Sequence, residues 1–257
     1  MNVRERPAGD FNYELQGIDY AAIRQPDPRF GELIRKALGD AKSLLNVGAG
    51  AGSYEPEDLE VVAVEPSGSM RAQRPPHLVE AIDAVAENLP FADDSFDASM
   101  ASITIHQWRD LQSGLREMRR VTKGPVVIFT FEPVAMKNFW LSEYAPEMMS
   151  YESGRMPRLE IIEMNVGGNI DVMPVPVPVD CRDGFAEAFY GRPEAFLDER
   201  VRRAQSAWGF VPREVEESSV DRLRNALEDG SWDEKHGALR TQDEYLGSLR
   251  LIVSTLH

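Results

Sequence analysis

The stretch Ser43 to Pro56, "SLLNVGAGAGSYEP", decides how this chain is read. A short apolar run ends in glycines at alternate positions, Gly48, Gly50 and Gly52. Glycine has no Cβ, so backbone there can turn sharply and let a ligand approach closely. A strand running into such a loop sets a ligand at the carboxyl edge of a parallel sheet. Dinucleotide sites use G-x-G-x-x-G, whose third glycine would fall at position 53. Ser53 stands there, so the pattern is G-x-G-x-G. That spacing suits a nucleoside lying flat against the loop better than a pyrophosphate on a helix terminus. The G-K-[ST] of a Walker-type phosphate loop is absent.

The neighbouring segments agree with this reading. "QPDPRFGELIRKALGDA" has a turn signal, apolar Phe30, Leu33, Ile34, Ala37 and Leu38 at helical spacing, and Gly39 as a stop. "LEVVAVE", Leu59 to Glu65, reads as a second strand. Glu65 ends it, about twenty residues after the loop begins, where an ionised carboxylate can accept both hydroxyls of a ribose. "PSGSMRAQ" starts a helix, and "HLVEAI" is a weaker third strand. A fourth strand is predicted over roughly Phe96 to Ile105, a helix over "DLQSGLREMRRVTKG", and a buried fifth strand over "PVVIFTFEP". Strands alternating with helices predict an α/β fold with a mainly parallel sheet.

After Pro133 the rhythm changes. Residues 134–169 are rich in methionine and read as helices and loops laid over the sheet. "IDVMPVPVPVD" is extended, and its alternate prolines deny it a central place in a ladder unless they fall on the unpaired side. "GRPEAFLDERVRRAQSAWG" and "PREVEESSVDRLRNALEDG" are predicted as two further helices, and "GSLRLIVSTL" as a closing strand.

Composition bounds the function. The chain has 257 residues, 42% of them hydrophobic, enough to bury a sizeable core. Its net charge of -15 repels phosphate backbones and anionic lipid, so neither nucleic acid nor a membrane is an expected partner. The one cysteine, Cys181, excludes an intramolecular disulfide and a cysteine-based metal cluster, and the scattered histidines give no reason to expect a metal. "MNVRERPAGD" lacks the apolar core of a signal peptide, so the expected location is the cytoplasm. Oligomeric state is not legible.

"LLNVGAGAG", "VAVEPSGSM", "DAVAENLPFADDSFDASMASITIHQW" and "LREMRRVTKGPVVIFTFEP" together resemble the class I S-adenosylmethionine-dependent methyltransferases. Within them the similarity is to the small-molecule type that includes the ubiquinone/menaquinone and trans-aconitate methyltransferases. It covers roughly residues 11–133, and "ENLPFADDSFD" is its most specific phrase. The resemblance implies a Rossmann-like sheet, mainly parallel with the last strand antiparallel, helices on both faces and a helical cap. It divides the chain into N-terminal helices over the cofactor site (1–42), a cofactor-binding core (43–133), cap and substrate-binding insertions with an extended strand near 170–179 (134–245), and a final strand (246–257).

By position, the resemblance implies that Gly48, Ala49 and Gly50 line the methionine part of S-adenosylmethionine. Glu65 would bind the ribose, with Pro66, Ser67 and Met70 beneath the adenine and Ala86 and Glu87 at its edge. Ile103 to His106 would end the fourth strand beside the sulfonium. Two positions depart from the family. Asn46 replaces the usual Asp, which removes any charge-based role, and Val85 stands where an Asp often receives the adenine amino group, leaving Asp83 as a substitute.

Methyl transfer from a sulfonium is an in-line displacement for which the protein supplies orientation, a dry pocket and sometimes a base. His106, in "ITIHQW", is the candidate base. In related enzymes a leading helix covers the cofactor, which makes Tyr20 and Arg24 candidates for the cofactor and Tyr13 for the substrate; a guanidinium fork suits the methionine carboxylate. Trp108, Trp140, Phe185, Phe189, Tyr190 and Trp208 are candidate walls of an acceptor pocket, with Arg192 beside Gly191 as a polar corner. The leading expectation is an enzyme methylating a small molecule. A non-catalytic S-adenosylmethionine-binding module and a Rossmann-type oxidoreductase stand as alternatives, the latter disfavoured by Ser53.

Overall fold

A computed structural model describes residues 23–256. Tyr13 and Tyr20 lie outside the described residues. Helix α1 (Pro28–Ala37) begins on Asp27, whose carboxylate accepts from the Arg29 N–H, and buries Phe30 and Ile34. Strand β1 (Ser43–Val47) follows, then β2 (Glu60–Val64), the short helix α2 (Gly68–Ala72) capped by Ser67, and β3 (Ala81–Ile82). Strand β4 (Ala98–Ser102) is shorter than predicted, because the chain turns sharply at Ile103 and winds Ile105–Gln107 into a 3-10 turn. Helix α3 (Leu111–Arg120) and strand β5 (Val126–Phe131) complete the alternating half.

Four helices occupy the methionine-rich segment: α4 (Pro133–Met136), α5 (Leu141–Tyr144), α6 (Pro146–Arg155) and α7 (Leu159–Val166). Strand β6 (Asn169–Pro174) then joins the main sheet, and β7 (Val177–Pro178) leaves it to pair with β8 (Glu244–Tyr245). Between them lie α8 (Glu199–Arg203), α9 (Arg213–Glu228) and α10 (Ser231–His236). The single helix predicted over "GRPEAFLDERVRRAQSAWG" is corrected to three short pieces, Pro193–Leu197, α8 and Ser206–Phe210. Asp198 restarts the helix by accepting the Arg200 N–H, and Gln205 is extended, so the turns cannot run on.

The main sheet has strand order β3-β2-β1-β4-β5-β9-β6. Strand β9 (Leu249–Thr255) runs antiparallel to both β5 and β6, so it alone is reversed, as expected for the closing strand. The proline-bearing segment takes the edge position its sequence demands. Strand β5 is buried along its whole length, and alternate residues feed opposite layers. Val127 and Phe129 pack with α1 and the residues of 134–245, whereas Val126 and Ile128 pack with Leu115 and Met118 of α3 and Ile162 and Val166 of α7. The strand order reverses between β1 and β4, which opens a crevice at their carboxyl ends.

Candidate functional site

The glycine loop crosses this crevice. Gly48, Gly50 and Gly52 all have positive φ, at 68°, 52° and 96°. Gly48 is required twice over, since a Cβ there would lie 2.3 Å from the Thr104 Oγ1. The loop rests on Glu65, which is buried just past β2. One Glu65 carboxylate oxygen accepts the Gly50 N–H at 2.9 Å and the other the Ser67 N–H at 2.8 Å. Burial pushes its carboxyl upward, while these two N–H groups pull it back. Each oxygen retains a further lone pair, so the residue that fixes the loop can also receive ligand hydroxyls.

A cleft of about 750 Å³ lies above the loop. Asn46, Gly48, Ala49, Gly50, Glu65, Ser67, Met70 and Ile103 line it, together with Arg24 and Asp183. Nine of the residues expected at the cofactor are thus brought together around one cleft. A continuation of about 410 Å³ is lined by Pro66, Val85, Glu87, Thr104, Trp108 and Arg109. Trp108 thus lines this continuation, although the sequence set it among the candidate acceptor walls. Ala86 is turned into the core against the Gly114 position and does not line the cleft. Asp83 pairs with Arg71 at the exposed surface and does not line this continuation.

Asn46 does not stand without a carboxylate behind it. Its amide donates to Glu55 at 2.8 Å, and Glu55 forms a buried ion pair with Arg74, also at 2.8 Å. Neither partner was foreseen; the only signal was the acidic end of "GSYEP", nine residues past Asn46. Arg24 is held by Asp183, whose second oxygen accepts the Tyr54 hydroxyl at 2.7 Å. Burial and that carboxylate push the Tyr54 phenol far above its ordinary value, so it serves as a donor. Arg24, the glycine loop and the later half of the chain are thereby tied together at one end of the cleft.

Ile103 has φ of 50°, which is costly for a β-branched residue, about 1–3 kcal/mol. The strain sits where a second cavity, of about 690 Å³, meets the first; both are lined by Arg24, Ile103 and Gln107. Its walls include Phe131, Phe185 and four methionines, Met136, Met148, Met149 and Met156. Polar groups on its wall are His106, Glu152, Arg155, Gln205, Ser206, Glu187 and Ser248. Arg155 pairs with Glu152 at 2.6 Å, donates to the Ser206 hydroxyl, and lies 3.4 Å from the His106 Nε2. Burial first, then the Arg155 and Arg24 cations, hold His106 well below its usual value, so its ring is neutral. Its Nδ1 is buried with no partner among the described residues.

Of the expected acceptor walls, only Phe185 faces this cavity. Trp140 instead packs edge-on to Phe196 and Trp232 and donates its indole N–H to the Tyr190 carbonyl at 2.9 Å. Tyr190 is fully buried with its hydroxyl donating to the Gln242 carbonyl. Arg192 donates to the Ala188 carbonyl and stacks over Phe189. Trp208 is also buried off the cavity wall. Aromatic spacing could not separate wall from core, and the methionines that do line the cavity were noted without a role.

The family model described as "Methyltransferase domain" matches residues 45–129, from β1 into β5. A solved structure named as a methyltransferase from an antibiotic biosynthesis pathway of Anabaena variabilis ATCC 29413 is 30% identical, with a TM-score of 0.83 over 91% of this chain and 99% of that one. A demethylmenaquinone methyltransferase of Paenarthrobacter aurescens (strain TC1) is 34% identical over 118 residues, 42% of this chain and 46% of the relative. A 2-methyl-6-phytyl-1,4-hydroquinone methyltransferase of Oryza sativa subsp. japonica is 39% identical over 70 residues, 27% of this chain and 21% of the relative. The chain thus spans less than half the length of these two curated relatives. The Anabaena similarity, in contrast, extends over nearly the whole chain, well beyond residues 45–129. With its sheet order, its glycine loop and a relative aligned over nearly its whole length, the chain belongs to the methyltransferases.

Proposed function

We propose that the protein transfers a methyl group from S-adenosylmethionine to a small-molecule acceptor by in-line displacement. The observation that carries this reading is the junction at Ile103, Gln107 and Arg24, where a polar cleft adjoins an apolar cavity. The residues present fit the cofactor. Glu65 offers carboxylate lone pairs for ribose hydroxyls, Arg24 a guanidinium for the aminoacyl carboxylate, and the Pro66–Trp108 end a flat slot for the base. Bound there, the cofactor supplies an electrophilic methyl group. The chain's own residues align the acceptor against it and exclude water, which can contribute about 7–11 kcal/mol to barrier lowering.

His106 is the proton-handling group of this reading. Its imidazole is neutral, and Arg155, which can only donate, faces its Nε2 lone pair. Proton removal from an acceptor would therefore pass through a ring nitrogen already close to Arg155, and Arg155 would have to yield it. The acidic chain disfavours nucleic-acid substrates. No helix among the described residues is long and apolar enough to cross a membrane, and we place the activity in the cytoplasm.

Calorimetry with S-adenosylmethionine, S-adenosylhomocysteine and NAD tests the cofactor assignment. Binding of both sulfur nucleosides without binding of NAD is expected. NAD binding in their place would move the chain to the oxidoreductases. Sulfur-nucleoside binding without turnover on any acceptor would favour a non-catalytic binding module.

A further inference from the structure

Glu187 is the acidic group of the apolar cavity that the ion pairs do not account for. It sits in the 3-10 turn Ala186–Phe189, is 3% exposed, and lines the cavity beside Ser248. The other charged groups there are matched: Glu152 with Arg155, and Arg24 with Asp183. Glu187 forms no salt bridge among the described residues; the nearby Arg250 is engaged by Glu132. Both of its oxygens share one backbone donor, the Ser248 N–H, at 3.0 and 2.9 Å. A carboxylate has about four acceptor positions, so most of its capacity is unmet by that contact. Space is also made for it: a Cβ at Gly247 would lie 2.4 Å from the Glu187 Oε2. A buried carboxylate held only by the N–H and hydroxyl of Ser248 is costly to maintain, since a neutral amide could accept from the same donors.

Position separates Glu187 from the reacting centre. The two cavities meet at Ile103, just past β4, whereas Ser248 precedes β9. Strand β5 lies between β4 and β9, so their edges stand about 10 Å apart. Glu187, held at Ser248, is therefore displaced along the sheet edge from Ile103, where the two cavities meet. A cationic acceptor group is disfavoured there, because an ammonium would have to be stripped of water to enter this largely apolar cavity.

We propose that Glu187 anchors the acceptor, accepting a hydrogen bond from a neutral hydroxyl at the end of the molecule remote from the methylated atom. The acceptor class that follows is an elongated, mainly apolar molecule with a hydroxyl at its distal end. Met136, Met148, Met149 and Met156 form an adaptable wall around its body. This rests on the methyltransferase reading above, which assigns the cavity to the acceptor.

The test uses 4-butylphenol and 4-butylanisole, bodies of similar shape that differ in the donor hydrogen. Their dissociation constants are measured at pH 8 with the full chain saturated in S-adenosylhomocysteine. Wild type is expected to prefer the phenol about tenfold, the worth of one hydrogen bond to a charged acceptor. Glu187→Met should bind both probes alike while binding S-adenosylhomocysteine as the wild type does. Glu187→Gln keeps the volume, the Ser248 contact and a carbonyl acceptor, and should shrink the preference without erasing it. A merely structural role would weaken both probes together and leave their ratio unchanged in either variant, overturning the proposal. Equal binding of the two probes by wild type, or binding of neither while the nucleoside binds, would overturn it as well. Failure of the nucleoside itself to bind would instead remove the cofactor reading beneath it.

Discussion

Replacing Glu187 with Gln should change the pH dependence of stability more than stability at any one pH. Burial raises the Glu187 carboxyl from 4.5 to about 7, with the Ser248 contact and the Arg250 cation pulling only partly back. Between those values the native state holds a proton that the unfolded chain has released. Stability therefore falls as pH rises from about 4.5 to about 7, and levels off above. That gap corresponds to about 3 kcal/mol. Glu187→Gln carries no such titration. It keeps one acceptor for the Ser248 N–H but brings an amide NH2 whose lack of a partner costs about 1 kcal/mol. The variant should thus be slightly less stable than wild type at pH 4.5 and about 2 kcal/mol more stable at pH 8. Urea unfolding followed by tryptophan fluorescence at several pH values between these limits reads the difference directly, and every other titrating group cancels. Parallel stability profiles for the two proteins would refute the reasoning, because they would show that Glu187 titrates in the folded chain as it does in the unfolded one.

Other outcomes follow from the same geometry. Glu65→Ala removes both the ribose acceptor and the brace on Gly50 and Ser67, and calorimetry should show S-adenosylmethionine binding weakened about 100-fold. Gly48→Ala should be destabilising and abolish nucleoside binding, since the new Cβ collides with the Thr104 side chain; adding Thr104→Ala should recover stability except for about 1 kcal/mol owed to the positive φ. The Asp27 carboxyl is held down at about 2, chiefly by Arg29, so its contribution is present above the ordinary 3.8 and lost as pH falls through about 2. Asp27→Asn should therefore cost on the order of 2 kcal/mol at pH 7, with the gap to wild type closing in acid unfolding. The His106 ring resonance, assigned against His106→Gln, should not move between about pH 6 and 8, because burial and Arg155 keep the imidazole neutral.

The half of the candidate site proposed to hold the nucleoside was legible because its chemistry is carried by backbone and by short spacings. A glycine loop after β1 and a carboxylate ending β2 come to the same sheet edge whenever the strands are parallel, as Asn46 beside Ala63 shows. Register did the work, and no distant side chain had to be known. Where a contact depended on a remote side chain, the reading fell short even here. The carboxylate behind Asn46 is Glu55, and its charge is cancelled by Arg74, whose placement follows from how α2 ends rather than from any motif.

Apart from Arg24, Ile103 and His106, the cavity proposed for the acceptor is of the second kind. Its walls come from β5, α4, α6, the Phe185–Glu187 turn, the Gln205–Ala207 turn and Ser248, segments that periodicity cannot bring together. Trp140 and Tyr190 have the residue types of a binding wall, but their polar tips are satisfied by the Tyr190 and Gln242 carbonyls, and satisfied buried aromatics belong to the core. Glu187 shows the opposite sign: a buried polar group whose partners fall short of its capacity. Hydrogen-bond accounting across the fold, rather than residue type along the chain, is what distinguishes the two. By that measure Asp183 also changes meaning. It divides its oxygens between Arg24 and Tyr54, so the segment that lines the apolar cavity also sets the guanidinium at the cleft over the glycine loop. On the proposed assignment, acceptor and cofactor sites are coupled through this one carboxylate, and a substitution at Asp183 should reach the nucleoside end where one at Glu187 should not.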